Sequence, residues 1–161
     1  MNNFRRVYLI YSSFLVGGIL MLLRLPAGFD LTQPLWLVLI LLYWALMTPQ
    51  YVNVGVAMLM GFVFDIVYNT AIGEHALALI AIVFFVNKLQ HKIMLFSLGS
   101  WQMSLVIWGV IMCYQLLLLF IQLYLGEYFS VMRVFGGAVL SALIWIPLSW
   151  LLFNYQQKLR I

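Results

Sequence analysis

Asp65 is the one charged side chain placed inside an apolar run of this chain, and it most invites a chemical reading. It lies about fourteen residues into a segment expected to be helical from Tyr51 to Tyr68, roughly 20 Å along it at 1.5 Å per residue. An ionisable group at such depth is costly unless it meets a partner or water. Two readings follow. One is a proton relay or an anchor for a ligand or partner; the other is a buried acid near the outer headgroups that caps the turn at Gly73. Asn53, Ala57, Gly61 and Asp65 recur every four residues and so line one helix face with small and polar side chains. That face is expected to meet protein, with Ala57-xxx-Gly61 permitting close helix contact.

Other candidates are sparser. Trp101, Trp108, Gln115 and Gln122 are spaced by seven, so the two glutamines share a helix face and are suited to hydrogen-bonding between helices. Gly137-xxx-Ser141 and Ala138-xxx-Ala142 favour tight packing of the last helix, which Pro147 should kink. For nucleophilic catalysis there is no Gly-x-Ser-x-Gly, no Ser-x-x-Lys and no phosphate-cradling glycine loop. Glu74-His75, the only adjacent acid/base pair, reads as a polar loop pair. His75 and His91 are assigned to loops on opposite sides of a membrane, and Cys113 is the single cysteine, so no metal cluster is expected. The net charge of +4 comes from basic residues scattered in ones and twos, which does not suit nucleic acid. Neither enzymatic activity nor a cofactor is expected.

The elements that must position these residues follow from composition. With 66% of 161 residues hydrophobic and 7% charged, the chain lies far from soluble domains, at about 45–50% and 25%. A span needs about 20 apolar residues, so six fit if the loops are short. The expected architecture is an all-α six-transmembrane-helix bundle forming a single integral membrane domain over residues 1–161. Its helices are placed at about 7–23, 35–47, 51–68, 75–89, 101–125 and 132–153. Pro26–Pro34, Thr48-Pro49-Gln50 and Asn69–Glu74 supply breaks. Helix 1 follows Arg5 and Arg6 and is read as retained, because no small-residue cleavage site follows it.

Charge then orients the bundle. Cytoplasmic termini place Arg5, Arg6, Lys88, Lys92, Lys158 and Arg160 inside, and only Arg24 and Arg133 outside, as the positive-inside rule requires. The acids Asp30, Glu74 and Glu127 then fall in outer loops. The expectation is a multi-pass protein of the bacterial inner membrane.

The run Leu41-Leu42-Tyr43-Trp44, then Pro49, then Val52-Asn53-Val54-Gly55, then Gly61, Asp65 and Gly73, ending in Ala76-Leu77, resembles the MreD family of rod-shape-determining membrane proteins. Tyr51 departs from that pattern where a basic residue is often found, and Glu74-His75 makes the outer turn more polar. The resemblance implies a non-enzymatic scaffold of the elongasome, the machine that inserts peptidoglycan along the cell cylinder. It implies partners in the bitopic protein MreC, the actin-like MreB, the glycosyltransferase RodA and a penicillin-binding transpeptidase. It also implies a fold similar to the six-helix substrate-binding subunits of energy-coupling-factor transporters. The alternative is a small-molecule transporter subunit or lipid-binding membrane protein, in which Asn53, Asp65, Gln115 and Gln122 would line a polar cavity.

Overall fold

The computed structural model describes residues 3–22, 35–92, 100–126 and 131–158. Six helices carry them: α1 Asn3–Leu22, α2 Trp36–Met47, α3 Val54–Tyr68, α4 Glu74–Lys92, α5 Ser100–Leu125 and α6 Val131–Lys158. There is no strand among the described residues. The Pro26–Pro34 loop, Arg24, Asp30, Glu127 and Arg160 lie outside them. Two helices, over Trp101–Leu125 and Phe135–Tyr155, are long and apolar enough to cross a membrane, and three shorter apolar ones accompany them.

Four boundaries differ from the sequence reading by three residues or more; α1 starts at Asn3 rather than at residue 7, and so takes in Arg5 and Arg6. α3 starts at Val54 because Asn53, in an extended conformation, accepts hydrogen bonds from the Gly55 and Val56 amides and so acts as the N-cap. Tyr51 and Val52 belong to the preceding turn, where both amides donate to the Thr48 carbonyl. α4 continues past the expected end at residue 89 through His91 and Lys92, which the sequence reading gives to a loop. Charged residues end an apolar run without ending a helix, since lysine is a good helix former. α6 likewise passes through Pro147 and on to Lys158.

α2 is the axis of the packing. Its ten residues Leu37 to Leu46 are all buried, against α1 on one side and α4 and α6 on others. A helix apolar on every face is one surrounded by protein. α3 pairs with α4 as a hairpin, and α5 packs between α4 and α6. Trp44 fixes the α1–α2 contact: its indole Nε1 donates to Ser13 Oγ at 2.7 Å, and Ser13 Oγ donates to the Ile10 carbonyl at 2.7 Å. The outer surfaces stay greasy, with Leu15, Leu59, Phe62, Phe84, Phe120, Leu143 and Trp150 among the exposed side chains. Such a surface is stable against lipid tails rather than water.

Candidate functional site

The polar residues gather at one end of the bundle, where α3 and α5 finish and α4 begins. Asp65 serves both helices of the hairpin. Its carbonyl ends α3 by accepting from the Asn69 and Thr70 amides, with Asn69 in the left-handed conformation at φ 54° that asparagine tolerates. Its carboxylate begins α4. The residue before α4 is Gly73, at φ 102°, which has no side chain with which to cap the helix. Asp65 Oδ2 therefore accepts from the Gly73 amide at 2.7 Å, and Oδ1 from the His75 amide at 2.9 Å. In apolar surroundings these first amides have no water to turn to, so an acceptor must come from a neighbouring element.

His75 completes the arrangement. Its Nδ1 lies 2.9 Å from Asp65 Oδ1, and an ionised carboxylate only accepts, so Nδ1 carries the proton. Thr70 Oγ1 donates to the same oxygen at 3.4 Å. The imidazole stacks on Tyr68 at 5.5 Å between centroids and meets the edge of Phe64 at 5.8 Å. Asp65 is 1% exposed and His75 7%. The cost of a buried acid is thus met by four donors and by the positive N-terminus of α4.

Glu74 is the second buried acid, 3% exposed. Gln122 of α5 donates from Nε2 to its Oε1 at 2.5 Å, which ties α5 to the hairpin. The other oxygen, Oε2, is buried and has no hydrogen-bond partner. Tyr114 of α5, itself buried, lies within electrostatic reach of Tyr68, Asp65 and Glu74. The Glu74-His75 pair is therefore no solvated loop pair, as its sequence suggests; it occupies the first turn of α4 facing the interior. The sequence carried one signal of this, since the pair falls nine and ten residues after an acid inside an apolar run, the span of a tight helical hairpin.

The small-residue face of α3 is used within the chain. Ala57, Gly61 and Asp65 are buried in the structure, and a methyl group on Gly61 would sit 2.5 Å from the Ala76 amide nitrogen and 2.8 Å from its Cβ. The two backbones touch there, which only a glycine permits. Asn53, at the far end of α3 and exposed, lies about twelve residues or 18 Å from Asp65. It does not join Asp65 and Gln122 around one cavity. Gln115 is buried on α5, about two turns from Gln122.

A second trans cap links α6 to α2. Gly137 and Ser141 are both buried, and Ser141 Oγ accepts from the Leu35 amide at 3.0 Å, just ahead of α2. Ser141 stands about ten residues, or 15 Å, into α6, so the N-terminus of α2 is sunk within the bundle. No group of three or more metal-ligating side chains occurs among the described residues.

The arrangement is one of helix ends closed by side chains from neighbouring helices, and comparison with known proteins agrees with a structural role. A curated rod shape-determining protein MreD from Haemophilus influenzae is 30% identical over 154 residues, covering 96% of this chain and 94% of that protein. No solved structure matches significantly. The family model described as rod shape-determining protein MreD matches residues 2–159, and the chain belongs to that family of membrane proteins.

Proposed function

We propose that this chain is a non-enzymatic scaffold of the cell-elongation machinery, a multi-pass protein of the inner membrane with both termini in the cytoplasm. It binds an MreC-like bitopic partner inside the bilayer and helps keep cells rod-shaped by organising peptidoglycan synthesis with MreB, RodA and a penicillin-binding transpeptidase. Its six helices all span, in an arrangement similar to the substrate-binding subunits of energy-coupling-factor transporters. Family membership over residues 2–159 carries this reading.

The partner surface is the outer face of α3. The inner face is occupied by α4, which leaves Leu59, Phe62 and Ile66 exposed on a helix held rigidly by the Asp65 cap and the Gly61–Ala76 contact. Bulky apolar side chains on a fixed helix suit knob-and-groove packing with a single transmembrane helix. Replacing Leu59, Phe62 and Ile66 together by alanine should cut co-purification of the MreC-like partner and give round cells, with the protein still inserted. If rods and partner binding persist while uptake of some solute collapses, the scaffold reading is wrong and a transporter subunit takes its place.

A further inference from the structure

The unpartnered Glu74 oxygen is an acceptor in search of a donor. Oε1 is engaged by Gln122, Oε2 has nothing, and the residue is 3% exposed. A half-satisfied buried carboxylate is expensive, and its neighbourhood is negative. Two carboxylates, Asp65 and Glu74, lie together with a histidine whose Nδ1 proton faces Asp65. α3 and α5 end here and contribute about half a negative charge each, against about half a positive charge from the start of α4. Among the described residues the sole ion pair is that between His75 and Asp65.

We propose that Glu74 Oε2 binds the primary ammonium of a phospholipid headgroup, seated where the α3–α4 turn meets the end of α5. A cation with N–H donors satisfies both the missing hydrogen bond and the charge. The lipid source is favoured by position. Glu74 is on the first turn of its helix, one turn from the exposed Leu77, and the neighbouring Ile72 and Tyr124 are among the most exposed apolar side chains of the chain. A tyrosine and an aliphatic tip at a helix end are what an interfacial lipid packs against. The proposal goes beyond the scaffold reading and does not depend on it.

The test uses the full chain in nanodiscs with equal phosphatidylethanolamine, which has three N–H donors, and phosphatidylcholine, which has none. Lipid retained on the protein is read by native mass spectrometry. The wild type should retain phosphatidylethanolamine over phosphatidylcholine by about tenfold, the scale of one charge-assisted hydrogen bond. Mono- and dimethylated ethanolamine lipids should fall between in order of their remaining N–H groups, a series that needs no variant. Glu74→Gln should bring the preference to within about twofold of unity while the protein stays monodisperse. Equal retention of the two lipids overturns the proposal, as does a preference that survives Glu74→Gln.

Discussion

Replacing Asp65 by alanine and by asparagine should separate a capping role from proton transfer. The alanine variant removes the acceptor for the Gly73 amide, the His75 amide and His75 Nδ1, all at a buried corner. A buried donor left without a partner costs about 1–3 kcal/mol, so three of them give roughly 3–6 kcal/mol once some relaxation is allowed. That is a large share of the roughly 5–15 kcal/mol that holds a typical fold. At about 1.4 kcal/mol per factor of ten, the folded-to-unfolded ratio should fall by about two to four orders of magnitude. Asparagine keeps one carbonyl oxygen. Placed at the Oδ1 position it retains both His75 hydrogen bonds and turns its NH₂ toward the Gly73 amide, losing one bond and the charge at the start of α4, together roughly 1–3 kcal/mol. Denaturation in a fixed detergent should therefore rank wild type above asparagine above alanine, and rod shape in complemented cells should follow that order. Equal losses in the two variants would refute the capping argument. An asparagine variant with wild-type stability and round cells would show that the proton of Asp65, not its cap, is what matters.

Two packing positions give independent checks. Gly61→Leu drives a side chain into the Ala76 backbone, where no flexible atom can move aside, so it should cost at least the roughly 1–3 kcal/mol of an overpacked core and lower the unfolding midpoint, with Gly61→Ala already affected. Ser141→Ala orphans the Leu35 amide at the sunken end of α2 and should cost about 0.5–2 kcal/mol, whereas Ser141→Thr should recover part of it; hydrogen exchange at the start of α2 should rise in the alanine variant alone.

Helix number and approximate placement were legible from hydropathy and breakers, because long apolar runs punctuated by proline, glycine and polar residues mark where helices run and stop. The face of Ala57, Gly61 and Asp65 was legible too, since its period of four is a property of one helix, although Asn53 caps that helix and is exposed. What escaped the sequence was the partner in most contacts between helices, although an Asp65 cap of the Gly73 turn was among the readings it offered. Gly61 marks a close approach without naming Ala76 as the neighbour, and Ser141 reads as a packing residue without the Leu35 amide that it accepts from. Glu74 and His75 misled for a related reason. Two polar residues after a glycine are a loop in water, yet here a helix starts at once and turns both inward, because Asp65 already supplies the cap that would otherwise require a side chain at position 73.

The two trans caps have a common consequence for how the bundle can change shape. α4 begins on an acid from α3, and α2 begins beside a hydroxyl from α6. Pulling either helix away from its neighbour strips acceptors from buried amides as well as separating apolar surfaces. In lipid the second loss is small, because tails replace side chains; the first is not, because nothing there accepts a hydrogen bond. Movement within the chain should accordingly be confined to contacts made by apolar packing alone. The α3–α4 hairpin, capped by Asp65 and closed by Gly61 against Ala76, is then expected to move as one piece. A partner helix seated on Leu59, Phe62 and Ile66 would carry α4 with it, and through Glu74 and Gln122 would act on α5. Gln122→Leu should therefore leave partner binding on α3 intact while freeing α5 from it, detectable as a change in probe spacing between α3 and α5 when the partner binds.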